Sequence, residues 1–257
     1  MIILLIGFFS IFSVNAEICS FDDNRVSSSD PRVGRLSGLK SNSGCTATLV
    51  GKSCIITSSV CAKLDRVVEF NIPSSEDGVP ALAKAEDTYE VDPSSFSYDN
   101  SGIGKFWAVA KLKRNALTGK LPGEVQGYFP VISKKPRKND KIYILQYANT
   151  NPDRYDVISG EVGANPNGYS LNYSQSSANG VLVKAGIFLI PEIIYHNVDV
   201  SHGGAGAPLI NSSTHEVVGV HTHGGCQSGQ GRGRTNAATS IWGNKEFKKA
   251  IYQCLNN

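Results

Sequence analysis

Short apolar or alternating runs recur along the chain, separated by Gly, Pro, Asn and Ser: "CTATLV", "CIIT", "RVVEFNI", "FWAVAKL", "GYFPVI", "KIYILQYA", "DVISGEV", "VLVKAGIFLI", "APLINSS" and "EVVGVHTH". Many short runs with turn residues between them predict strands, and hence an all-β barrel or sandwich. The 26 glycines, the 18% charged content and the single Met agree with a turn-rich β protein and argue against a helical bundle or a Met-rich groove. One helix is predicted, over "GNKEFKKAIYQCLNN", where Phe247, Ile251 and Cys254 fall at helical spacing on one face. No internal repeat or low-complexity linker stands out, and 257 residues suffice for one large domain or two small ones.

Residues 1–16, "MIILLIGFFSIFSVNA", form an apolar run ending in Val14-Asn15-Ala16, which reads as a cleaved secretory signal peptide without the usual basic start. The run is too short to span a bilayer comfortably, so no membrane span is expected and the mature chain is taken as secreted, extracellular or periplasmic. The segment before Cys19 lacks the small residue of a lipid-attachment site. All six cysteines follow the leader, and an even number in an oxidising compartment predicts disulfides. A net charge of +3, from 25 basic and 22 acidic residues, is too mild to argue for nucleic acid or a membrane surface. The cluster "KKPRKNDK", Lys134 to Lys141, reads as a solvated turn at a boundary between halves rather than as a nucleic-acid or heparin patch, because no aromatic residues interleave with its charges.

The segment "GCTATLVGKSCIITSSVCAK" from Gly44 resembles the part of trypsin-like serine peptidases in which a cysteine, a strand, a turn and a second strand lead to a threonine, two small residues, the catalytic histidine and a cysteine. Cys45 and Cys61 match the bracketing disulfide at the family's own spacing, and Val60 stands at the histidine. "HGGAGAPL", His202 to Leu209, resembles the family's nucleophile turn, with Ala205 in the serine's place. "FWAVAKL" resembles the run that opens on the third triad member and puts Phe106 at the aspartate, with Asp99 as the nearby carboxylate. "VVGVHTHGGC" is similar to the strand walling the specificity pocket, while "CSFDDNR", "VGRLS" and "TSIWGNKEFKKAI" resemble bacterial secreted members. The likeness spans nearly all of residues 17–257. It implies a trypsin-like double β-barrel of two six-stranded antiparallel barrels, about 30–128 and 129–243, joined near 125–140 and closed by a C-terminal α-helix about 244–255.

In that family serine attacks, histidine takes its proton and aspartate orients the imidazole. Val60, Phe106 and Ala205 have no side-chain atom for these roles, and all five histidines (His196, His202, His215, His221, His223) lie in the second half. The resemblance therefore implies a catalytically inactive homologue, a monomer without cofactor, binding a protein or peptide partner through the retained cleft. The competing readings are an active serine-type endopeptidase or other hydrolase with an unconventional site, such as Ser201 and His202, and a metal-binding protein using His202, His221 and His223. No carboxylate or cysteine pattern supports the metal, so none is expected. Backbone N–H groups of Gly203 and Ala205 are the oxyanion-hole remnant, with Gly204 expected to loosen the turn. Asp199 falls at the pocket base, as in Arg/Lys-preferring members, and His221 on its wall, as in Glu-preferring ones; pairing with each other or with backbone is an equally good reading. Cys19, Cys54, Cys226 and Cys254 allow three pairings. With Ser201 where the usual partner of Cys226 would stand, Cys54–Cys254 and Cys19–Cys226 are favoured.

Overall fold

The computed structural model describes residues 18–19, 23–37, 44–62, 67–74, 81–149, 173–187, 190–201, 203–226 and 235–256. The leader 1–16 and His202 lie outside them. A two-residue strand, β1 (Val26–Ser27), precedes β2 (Val33–Ser37), β3 (Gly44–Leu49), β4 (Cys54–Thr57), β5 (Val67–Glu69), β6 (Thr88–Asp99) and β7 (Trp107–Leu112). Strands β2 to β7 close into an antiparallel barrel in the order β2-β3-β4-β7-β6-β5. A helical turn, α1 (Pro122–Val125), lies on the connection to β8 (Lys141–Asn149), β9 (Tyr173–Ile187), β10 (Ile190–His196), β11 (Pro208–Asn211), β12 (Val217–His223) and β13 (Asn236–Ser240). These close antiparallel in the order β8-β9-β10-β13-β12-β11, with β11 returning to β8. The two barrels thus share one order of connection, a duplication that the amino-acid sequence does not display. The final element is α2 (Lys245–Asn256).

The unbroken apolar runs have a packing cause. Along β4, Cys54 and Ile56 face one cluster while Ile55 faces the interior of the first barrel. Along β7, Trp107 and Val109 face the first cluster, and Ala110 and Leu112 the second. Strands buried on both faces read as continuous apolar segments rather than as alternation. The first cluster continues through Ile142, Ile144, Leu182, Ile194, Leu209 and Val220 of the second barrel, so one apolar body joins the two.

Both chain ends cross between barrels. The N-terminal strand β1 pairs with β9 (Val26 opposite Ser177), whereas α2 lies on β4, β6 and β7 of the first barrel. Asn244 caps α2, its Oδ1 accepting the Phe247 N–H at 2.9 Å. The inward face carries Phe247, Ala250 and Ile251, and the Phe247 ring stacks on Trp107 at 5.1 Å. Burying Phe247 and Ile251 contributes about 1.5–3 kcal/mol each. Disulfides join Cys54 to Cys254, Cys45 to Cys61 and Cys19 to Cys226.

Candidate functional site

The turn leading into β11 is seated on the first barrel by one side chain. Thr46, in β3, donates its hydroxyl to Gly203 O at 3.0 Å, gives its N–H to Ala205 O at 2.9 Å, and accepts the N–H of Tyr147 at 3.0 Å. Gly203 and Gly206 have φ of 95° and 84°, the left-handed region that glycine occupies without a Cβ penalty. At Gly206 a Cβ would also run into Thr57 Oγ1 and Thr46 O, so the turn can lie this close to β3 and β4 only with glycine there. Among the described residues, neither the N–H of Gly203 nor that of Ala205 meets a hydrogen-bond acceptor. These two donors, expected from the resemblance as an oxyanion-hole remnant, are therefore unspent among the described residues.

Gly204 has a different role from the expected loosening. A Cβ at this position would meet Val200, fall 2.6 Å from Gln146 Oε1 and 2.9 Å from Ser201 O. Gln146 lies fully buried in β8, donating Nε2–H to Asp199 O at 3.0 Å and accepting the Ser201 N–H at 3.2 Å. Its amide orders the approach to the turn from underneath, and glycine at 204 makes room for it. Inside the turn, Gly204 N–H bonds to Ser201 O and Ala207 N–H to Gly204 O, both at 2.9 Å.

Val60, Phe106 and Ala205, the positions expected from the resemblance to match the triad, carry apolar side chains. Val60 sits in a 3-10 turn, Ser59–Cys61, tied to β3 by the Cys45–Cys61 bridge. Val60 and Ala205, both half-buried, pack with Phe96 against the interior cluster of the first barrel. Phe106 precedes β7; its ring meets His223 edge-on at 4.8 Å, and its carbonyl accepts the Thr239 hydroxyl at 3.2 Å. Asp99 pairs across the sheet with Trp107, and its carboxylate accepts the Ser101 N–H at 2.9 Å.

Asp199, expected at the pocket base, is engaged by residues near the N-terminus. Asp199, with no exposed surface, accepts the backbone N–H of Cys19 at 2.7 Å and that of Asn24 at 3.0 Å. The Cys19–Cys226 bridge ties this segment to the chain that follows β12. Arg25, its side chain 5% exposed, pairs with Asp23 at 2.6 Å and donates to Ser201 Oγ, also at 2.6 Å. The Ser201 hydroxyl thus receives a guanidinium.

His221 turns to a partner that sequence reading did not connect with it. Its Nδ1 lies 3.2 Å from Nε2 of His196, and both rings are fully buried. Burial pushes His196 down to about 3. Burial first, then the neighbouring His196 and His223, holds His221 well below the usual imidazole range. The pair is neutral at pH 7. His223 is lowered by burial and lies 2.9 Å from the Thr222 hydroxyl through Nδ1, with a register shift in β12 between His221 and His223. Among the described residues no three His, Cys, Asp or Glu side chains group so as to hold a metal, and His202 lies outside them.

Thr46, Gln146, His196, Asn24 and Arg25 carry much of this geometry without being among the site residues expected from sequence, whereas Cys19 was expected there only as the partner of Cys226. A signal existed for Gln146: an amide inside the run "YILQYA" has to find partners if that strand is buried on both faces.

No protein-family model matches the chain, and no curated protein sequence does. Solved structures do match in fold. A Glu endopeptidase in complex with MPD is 16% identical, with a TM-score of 0.63 over 93% of this chain and 100% of that one. The protease Anisep from Arthrobacter nicotinovorans is 14% identical, with a TM-score of 0.58 over 91% and 100%. Kallikrein-related peptidase 10 in complex with Zn²⁺ is 13% identical, with a TM-score of 0.55 over 88% and 97%. The fold is that of trypsin-like serine peptidases.

Proposed function

We propose that the chain is a secreted, catalytically inactive homologue of trypsin-like serine peptidases that binds a protein or peptide partner along the cleft between the barrels. The observation that carries this reading is the apolar character of Val60, Phe106 and Ala205 on a peptidase fold. With no oxygen to attack, no imidazole to take its proton and no carboxylate to orient that imidazole, what remains of such a site is roughly 10³–10⁴ over water, from binding and oxyanion contacts. A carbonyl oxygen of a bound peptide fits the unspent N–H groups of Gly203 and Ala205. Asp199 is already bonded to the N-terminal segment, so recognition falls on the cleft and turn rather than on a basic side chain at the pocket base. Three disulfides suit an oxidising destination.

The test is purified recombinant protein exposed to a fluorophosphonate probe and a fluorogenic peptide library. Neither labelling nor turnover is expected, whereas specific labelling would reveal an unconventional nucleophile and overturn the proposal. Peptide-display selection examines the binding half, with A205R as the counter-selection that fills the turn. Peptides retained by the wild type and lost on A205R are expected; no such class means that the cleft is not the binding surface. Restoring V60H, F106D and A205S together then reads out, through any recovered cleavage, which residues the cleft aligns.

A further inference from the structure

The fold brings an aromatic residue to the basic turn that has none in its own sequence. Lys134, Lys135, Arg137 and Lys138 line a surface concavity of about 640 Å³, exposed around a buried Pro136. The indole of Trp242, from the turn between β13 and α2, stands beside it at 37% exposure, with Lys135 Nζ 5.6 Å from the ring centre. Further cations continue from there. Lys245 and Lys249 are exposed on α2, and exposed Lys105 adjoins the start of that helix, where Asn244 Nδ2 donates to Gly104 O at 3.0 Å. The acidic groups nearby are few. Asp140 accepts the Arg137 N–H at 2.8 Å, Glu246 is exposed on α2, and Glu192 is half-buried in β10.

We infer that this face binds a sulfated polysaccharide, with Lys134, Arg137 and Lys138 meeting sulfates and Trp242 lying against a sugar ring. A concave run of cations concentrates a polyanion by charge, and an indole beside a cation offers the flat apolar surface on which a pyranose stacks. A turn that is merely solvated needs no exposed Trp at its edge. Single-stranded nucleic acid is the poorer fit, since it uses several aromatic platforms for successive bases, and this face has one. Binding at this face does not depend on the proposed function.

Heparin is the probe. The chain has two tryptophans, and Trp107 is 3% exposed, so a heparin-induced change in emission reports on Trp242. Saturable heparin binding at about 0.15 M salt is expected. Selectively desulfated heparin and charge-matched single-stranded DNA should compete much less well. The variant K134S/R137S/K138S should weaken binding and lower the slope of log affinity against log salt by about two to three, one step per lost contact. W242A, followed by calorimetry, should also weaken binding at an unchanged salt slope. Absence of heparin binding, equal competition by desulfated heparin or by DNA, or undiminished affinity of the triple variant would each overturn the inference. Circular dichroism of both variants separates lost binding from lost folding.

Discussion

Acidification from about pH 7.5 to about pH 5 should destabilise the fold by about 2 kcal/mol through buried His196, with a further loss from His221. His196 and His221 have no exposed surface, and burial depresses both, His196 to about 3 from an ordinary 6.5. Between those values the unfolded chain binds a proton on His196 that the native fold refuses. The stability contribution is therefore complete above about pH 6.5 and is lost progressively as pH falls toward 3. For His196 the loss at pH 5 depends only on the distance below the unfolded pKa, about 1.5 units at roughly 1.36 kcal/mol each, or about 2 kcal/mol. His221 and His223, both lowered by burial, add losses of the same sign. Asp23 and Asp92 are held below 3.8, so their losses begin at lower pH and leave this window to histidine. Against a total of about 5–15 kcal/mol, a change of about 2 kcal/mol is readily measured. The assay is urea denaturation followed by tryptophan emission at steps between the two pH values, with ring-proton NMR of the native state. A fall that is largely removed in H196N/H221N, leaving the His223 share, and that survives in H215N, an exposed position, is expected. Equal stability at both ends within about 1 kcal/mol, or a native His196 resonance titrating above pH 5, would refute the reasoning.

Three further outcomes follow from the packing. G204A should lower stability by about 1–3 kcal/mol in thermal denaturation, because the added methyl meets Val200 and Gln146. E69A should cost about 3–5 kcal/mol in chemical denaturation by leaving the Arg35 guanidinium, 2.9 Å from Glu69 in the native barrel, buried without its carboxylate; R35M/E69L should recover most of the loss. C19S/C226S should lose about 2–4 kcal/mol and speed amide exchange at Asn24, whose N–H rests on Asp199.

Fold class and site positions were legible in the sequence to different depths. The run "CIIT" announces a strand because both its faces are buried, and "KEFKKAIYQC" announces a helix because one face is, so local burial left a local pattern. Val60, Phe106 and Ala205 were legible as candidate positions because each sits in a short stretch that resembles a segment of the peptidase family. Partnership between distant segments leaves no such pattern. Nothing near His221 names His196, nothing near Gly204 names Gln146, and nothing near Asp199 names the amides of Cys19 and Asn24, since each contact is created by strands that meet only when a barrel closes.

The basic turn shows the same division. By itself, "KKPRKNDK" determines its charge and its exposure, because unpaired Lys and Arg side chains remain in water. Whether an aromatic stands beside it was decided by the return of the chain from β13 into α2, which sets Trp242 against Lys135. The Cys54–Cys254 and Cys19–Cys226 bridges, spanning 200 and 207 residues, were favoured from the sequence among three pairings, and the fold brings both pairs together. Periodicity records which side of a segment avoids water; closing two barrels from strands far apart in the chain settles what lies on that side.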